Sequence, residues 1–167
     1  MLRVAGIETE SIVDGPGIRV VVFCQGCLRH CEGCHNPKTW DINGGIEMSV
    51  NEVLKVIKSN PLCRGVTYSG GEPFLQAAEL SELTRGLPGS EIAVYSGFTF
   101  EELLNGTPDQ RELLSLIDVL IDGPYDASKR TLELSFRGSR NQRILNVPES
   151  LKAGKAVIEG RRRWNSN

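Results

Sequence analysis

The chain has 167 residues, 40% of them hydrophobic and 24% charged, which is one domain's worth of ordinary globular sequence and excludes a disordered or fibrous protein. A formal net charge of -2 gives no whole-chain attraction for nucleic acid or an anionic membrane, so any partner is recognised through local sites. No stretch reaches the roughly 20 apolar residues needed to cross a bilayer, and residues 1–10 carry two acids and an arginine without an apolar run and cleavage site, which predicts a cytoplasmic protein.

In chain order, the first predicted element is a buried strand over Ile18–Cys24, an apolar β-branched run between Gly15-Pro16-Gly17 and Gln25-Gly26. Residues 27–45 are rich in Cys, Gly, Asn and Pro and have no period. They read as a long loop, and long structureless loops in compact domains usually carry function. Ser49 with Glu52 forms a capping-box signature that opens a helix running to about Asn60, where Pro61 stops it. Gly65–Ser69 is a second strand, Gly70-Gly71-Glu72-Pro73 a tight turn, and Leu75–Leu87 a second helix. Glu91–Tyr95 is a third strand. Thr99 with Glu102, and Thr107-Pro108 with Gln110, open two shorter helices, and Asp118–Asp122 and Gln142–Val147 are later strands.

Strands alternating with helices predict a single α/β domain over residues 1–167 with a mostly parallel sheet, because parallel strands need crossover connections. Ligands collect at the carboxyl ends of such strands. That rule brings together residues 25–35, the turn at Ser69–Pro73, and Ser96-Gly97. The basic tail from about residue 160, with Arg161, Arg162, Arg163 and Trp164, is expected to be a flexible, solvated end.

Of the five cysteines, Cys24, Cys27, Cys31 and Cys34 fall within eleven residues, which favours metal binding over a disulfide framework. Cys27, Cys31 and Cys34 supply three thiolates from one loop. A cubane cluster has four irons, so three protein ligands leave one iron with an open position, and an open position is how a metal site accepts a substrate. The structural alternative is a zinc knuckle of Cys24, Cys27, Cys31 and Cys34, but its two pairs normally stand a dozen or so residues apart and here three residues separate them. A ferredoxin-like electron carrier would need a fourth cluster ligand. Cys24, at the end of a buried strand, reads as a small core hydrophobe, and so does Cys63. The Gly70-Gly71-Glu72 turn lets backbone approach a ligand closely, and Glu72 offers a carboxylate to an ammonium group; by turn chemistry alone it is equally a plain turn.

The cysteine spacing resembles the signature of the radical S-adenosylmethionine superfamily, and Gly70-Gly71-Glu72 resembles that superfamily's GGE motif. Asp14-Gly15-Pro16-Gly17-Ile18-Arg19 and Cys34-His35-Asn36-Pro37-Lys38-Thr39-Trp40 look like glycyl-radical-enzyme activases. Residues 118–125 and 136–143 are similar to the branch of that family that activates anaerobic ribonucleoside-triphosphate reductase, and the short chain fits that branch better than the longer activases of pyruvate formate-lyase. The resemblance runs from about Gly15 to Leu151. It implies an incomplete (βα) barrel of the radical S-adenosylmethionine type, a 4Fe-4S cluster on Cys27, Cys31 and Cys34, and S-adenosyl-L-methionine held by Gly33, His35, Gly70, Gly71 and Glu72. It also implies the chemistry: a reduced cluster passes an electron to the sulfonium, and the resulting adenosyl radical takes hydrogen from a glycine of the reductase large subunit. An electron donor such as a flavodoxin or ferredoxin is implied as a further partner. Many superfamily members carry an aromatic residue just before the third cysteine, where this chain has Gly33, with His35 just after it. Arg137, Arg140 and Arg143 lack interleaved aromatics and do not make a nucleic-acid signature.

Overall fold

The computed structural model describes residues 1–165. Seven strands form one sheet: β1 (Leu2–Ser11), β2 (Arg19–Cys24), β3 (Ile46–Met48), β4 (Gly65–Gly70), β5 (Glu91–Tyr95), β6 (Val119–Asp122) and β7 (Arg143–Asn146), in the order β3-β1-β2-β4-β5-β6-β7. Only the central strands β2, β4, β5 and β6 run parallel; β1, β3 and β7 pair antiparallel. The sheet is therefore mixed and open rather than mostly parallel. Connections explain the difference. Helices α1 (Val50–Lys58), α2 (Ala77–Arg85), α3 (Phe100–Leu104) and α4 (Pro108–Leu116) lie in the crossovers between the parallel strands, whereas residues 123–142 hold no α-helix and return β7 antiparallel to β6.

The three helix starts that the sequence marks with a capping signature are present as local chemistry. Ser49, Thr99 and Thr107 each accept a hydrogen bond from the backbone N–H three residues on, and the side chains of Glu52, Glu102 and Gln110 each accept one from the cap residue's backbone N–H. Two later helices, α5 (Val147–Ala153) and α6 (Arg162–Asn165), complete the chain.

The sheet buries both faces. On one, Val20, Val22, Cys24, Val66, Tyr68, Ile92, Val94 and Leu120 pack against Val53, Ile57, Leu80, Leu83, Leu113 and Leu114 from the helices. On the other, Ala93, Val119, Ile121 and Ile144 pack against Trp164. The expectation of a solvated tail is corrected there: Arg161, Arg162 and Arg163 are exposed, but Trp164 is 0% exposed, because an indole large enough to cover the second face outweighs the polarity of its neighbours. The last two residues of the expected tail, 166–167, lie outside the described residues. No described helix is long and apolar enough to cross a membrane.

Parallel register is what positions the site. β2 and β4 pair without a shift from Arg19↔Gly65 to Cys24↔Gly70, so the cysteine loop and the glycine turn leave the sheet side by side.

Candidate metal centre

A cavity of about 530 Å³ opens at the carboxyl ends of β2, β4, β5 and β6, within the size range of small-molecule sites. Cys27, Cys31 and Cys34 line it together with His35, Gly70, Gly71, Glu72, Ser96 and Gly97. Residues distant in sequence complete it: Asp14, Tyr95, Tyr125, Phe136 and Arg137. Asp14, Tyr125, Phe136 and Arg137 lie in segments that carry the family resemblance, but nothing local in the sequence brings them, or Tyr95, to this cavity; they meet only through the sheet.

The cysteine loop is closed at its neck. Gly26 N–H donates to the Thr39 carbonyl at 2.6 Å and Cys27 N–H to the Trp40 carbonyl at 3.1 Å, while the Gln25 amide donates to the Lys38 and Asp41 carbonyls. Inside it, Cys34 N–H donates to the Cys31 carbonyl, Asn36 N–H lies 3.4 Å from Cys34 Sγ, and the His30 ring stacks on Trp40 at 4.5 Å. Pairing at the neck fixes where the three thiols stand. Burial pushes the Cys27 thiol up, against hydrogen bonds from the Arg29 and His30 backbone. Cys24 stands apart, 1% exposed in the core, with burial pushing its thiol up to about 12. Among the described residues no three His, Cys, Asp or Glu side chains stand close enough together to hold a single metal ion.

The glycine turn is bonded to that loop. Gly71 N–H donates to the Cys24 carbonyl and Glu72 N–H to the Gly26 carbonyl, both at 2.8 Å. A β-carbon on Gly71 would lie 2.3 Å from the Gly26 carbonyl oxygen, and one on Gly70, whose φ is +93°, would lie 2.7 Å from the Cys24 backbone. The close backbone approach that these glycines permit is therefore to the cysteine loop itself. Glu72 is 3% exposed; its carboxylate accepts from Gly97 N–H at 2.7 Å, Phe74 N–H at 3.0 Å and the Ser96 hydroxyl at 2.9 Å. Burial pushes its pKa up, and those three donors together with the Arg29 charge oppose the rise. An ionised carboxylate has about four acceptor sites, so one remains for a ligand cation.

Two buried guanidinium atoms and an indole on the lining residues, Arg29 Nε, Arg137 Nε and Trp40 Nε1, have no hydrogen-bond partner among the described residues. Native interiors leave few such groups unpaired, so their gathering at one cavity fits a site built to take a polar ligand.

Comparison with known proteins agrees with this geometry. Residues 13–145 match the family model described as a 4Fe-4S single cluster domain. The anaerobic ribonucleoside-triphosphate reductase-activating protein of Enterobacteria phage T4 is 37% identical over 142 residues, covering 80% of this chain and 87% of that protein. The chain belongs to the reductase-activating protein family. Its Pasteurella multocida relative of the same name is 36% identical over 80% of this chain and 90% of its own length. The pyruvate formate-lyase-activating enzyme of Clostridium pasteurianum is 41% identical over a shorter match, 64% of this chain and 50% of that enzyme.

The two segments that carry the family resemblance hold each other in place. Asn141 donates to the Pro124 carbonyl at 2.8 Å, the Gln142 amide to the Gly123 carbonyl at 3.1 Å, and Gly138 N–H to Gln142 Oε1 at 2.9 Å. The three arginines separate by role. Arg143 pairs with the buried Asp122 and with Glu101, Arg140 is exposed, and Arg137 lines the cavity without an ion-pair partner among the described residues. Tyr125 of the first segment packs on His35 at 4.9 Å. Of the residues the sequence assigns to the cofactor, Gly33 is not in the cavity lining; its φ is +75° and a β-carbon there would touch Tyr125 and Ala127 at 3.4 Å, so it shapes the turn between Cys31 and Cys34.

Proposed function

We propose that this chain carries a 4Fe-4S cluster on Cys27, Cys31 and Cys34, binds S-adenosyl-L-methionine beside it, and generates a glycyl radical on the large subunit of anaerobic ribonucleoside-triphosphate reductase. The open mixed sheet then serves as an incomplete (βα) barrel of the radical S-adenosylmethionine type, working in the cytoplasm with a flavodoxin or ferredoxin as electron donor. One observation carries the reading: three thiols line one cavity with a buried carboxylate whose own turn is hydrogen-bonded to their loop.

When bound, the cluster supplies the electron for reductive cleavage of S-adenosylmethionine, and the hard chemistry is the cofactor's. The chain's part is to bind and orient. Three cysteines would leave one iron without a protein ligand, open to the amino and carboxylate groups of the methionine moiety. Glu72 would accept a hydrogen bond from an N–H of that amino group with its remaining acceptor site, and a donor there favours the ionised form that burial opposes. Gly70 and Gly71 keep that carboxylate against the cysteine loop, and His35, braced by Tyr125, contributes an aromatic surface for adenine.

Reductive cleavage under anaerobic conditions, read as methionine release, tests the site. Glu72→Gln keeps an acceptor for Ser96 and Gly97 while removing the charge, so iron content stays at the wild-type level and S-adenosylmethionine affinity falls by roughly 10- to 100-fold, the worth of a charge-assisted hydrogen bond. Equal loss of iron and of binding would make the turn purely structural. A second reading, activation of pyruvate formate-lyase, has the 41% identity of the Clostridium enzyme in its favour. The reductase is preferred because its activating proteins match 80% of this chain.

A further inference from the structure

We infer that Trp164 is a positioning residue for this cavity, holding from beneath the strap Phe136-Arg137-Gly138 that forms one of its walls. The inference rests on the proposed function for the identity of the ligand only.

Trp164 sits on the second face of the sheet, 0% exposed, against Ala93, Val119, Ile121 and Ile144. Phe136 meets the indole edge-on, with ring centroids 5.5 Å apart and planes at 74°. Phe136 needs such support, because its φ of +57° is a conformation that a bulky residue adopts only when its surroundings impose it. Phe136 also packs on the strand residues Ala93, Val119, Ile121 and Ile144 that surround the indole, and its carbonyl accepts the Tyr95 hydroxyl at 2.9 Å. Phe136, Arg137, Gly138 and Tyr95 all line the cavity.

The indole reaches a second lining segment as well. Its Cη2 would lie 3.1 Å from a β-carbon at Gly15, next to the lining residue Asp14. The Arg19 guanidinium carbon stands 5.4 Å from the indole centroid, and Arg19 is tied through the Thr67 hydroxyl to the Asp14 carbonyl, both hydrogen bonds 2.8 Å. The tail that brings Trp164 here is fastened independently of the cysteines, by Arg161 and Arg163 on Glu91 and by Asn165 on the Glu159 carbonyl.

Gly138 is tied to Gln142 and to Thr131 N–H, so the part of the strap that depends on the indole is Phe136, held by its packing around Trp164 and by the Tyr95 hydroxyl, and it loses its position when the ring is removed. Arg137 moves with it. That guanidinium has no acidic partner among the described residues to hold it in place, and its Nε is buried without a hydrogen bond. Displacement of a binding group by about 1 Å costs on the order of a hundredfold.

Trp164→Ala, Trp164→Leu and Trp164→Phe in the full chain test this. Amide hydrogen exchange, which needs no cofactor, is expected to quicken at least tenfold across residues 131–142 in the Ala and Leu variants and to stay unchanged in α1 and α2, which pack on the opposite face of the sheet. In the same two variants, reconstituted with iron and sulfide, iron content equals the wild type while the S-adenosylmethionine dissociation constant rises at least tenfold. Trp164→Phe, which keeps a ring against Phe136, restores both. Should Trp164→Ala fail to fold, Trp164→Leu carries the test, since it keeps apolar volume without the ring. Exchange that quickens equally throughout the sheet, or that leaves residues 131–142 protected, overturns the inference. A wild-type chain that binds no S-adenosylmethionine sinks the proposed function and leaves the exchange result to judge the strap alone.

Discussion

Replacing any one of Cys27, Cys31 or Cys34 by alanine is expected to abolish the cluster, with iron and sulfide after anaerobic reconstitution falling to background. In the proposed site each thiolate is one of only three protein ligands, so its loss would leave a second iron without a protein ligand, and removing even an outer-shell partner of a metal ligand costs roughly 10- to 100-fold in affinity. The three stand together on one cavity wall because their loop is pinned at its neck by Gly26 and Cys27 on Thr39 and Trp40. Cys24→Ala and Cys63→Ala are the controls. Cys24 lies in the core and Cys63 packs against it, so each substitution costs about 1–2 kcal/mol of stability and leaves the visible absorption of the cluster intact. Iron loss in Cys24→Ala as complete as in Cys27→Ala would mean that a fourth thiolate closes the site.

Gly71→Ala is expected to have the second largest effect, although it removes no ligand. Its new methyl group would stand 2.3 Å from the Gly26 carbonyl oxygen and 3.0 Å from that of Thr39, both backbone atoms of the neck that presents Cys27. Backbone cannot rotate away as a side chain does, so the loop must shift, breaking the bond from Gly71 N–H to Cys24 or the one from Glu72 N–H to Gly26. Overpacking of this kind costs about 1–3 kcal/mol, and here the strain falls on the cysteine loop. The variant is expected to retain the α/β circular dichroism of the wild type, to hold less than about half its iron, and to lose S-adenosylmethionine binding by more than about tenfold, as a ligand-orienting contact does. Gly6→Ala, where the added carbon meets nothing within 4 Å, is the matched control. Wild-type iron and binding in Gly71→Ala would show that the neck gives way without disturbing the thiols.

The parts of this molecule that were legible in its sequence are those fixed by local chemistry. Ser49 with Glu52, Thr99 with Glu102, and Thr107 with Gln110 mark helix starts because both halves of each cap lie within four residues. The cysteine spacing and the glycine turn are equally local, and strand order then brings them together at the carboxyl ends. What escaped needs partners far along the chain. β1 alternates poorly, with a register shift between Val4 and Gly6 where it pairs with β2, so its ten residues carry no clean period. β3 is three residues long and mostly exposed. The direction of β7 is not written in Arg143–Asn146, since a parallel and an antiparallel edge strand look alike; the missing signal was the absence of a helix over residues 123–142, which forbids an ordinary crossover. Trp164 was hidden by the three arginines before it, whose polarity describes the surface of the tail and not the face its indole covers. Glu72 shows the same limit from the other side. Its sequence motif suggests a ligand contact, but its ties to Ser96 and Gly97 appear only once β4 and β5 lie next to each other.

The central claim is that this site makes a glycyl radical on a reductase. The reconstituted, reduced protein, mixed anaerobically with S-adenosylmethionine and either anaerobic ribonucleoside-triphosphate reductase or pyruvate formate-lyase, is read by electron paramagnetic resonance. The expected result is a glycyl radical signal on the reductase that requires S-adenosylmethionine and disappears with Cys31→Ala. A signal on the lyase with none on the reductase would contradict the choice of partner, and cleavage of S-adenosylmethionine with no protein radical on either would contradict the activase reading itself.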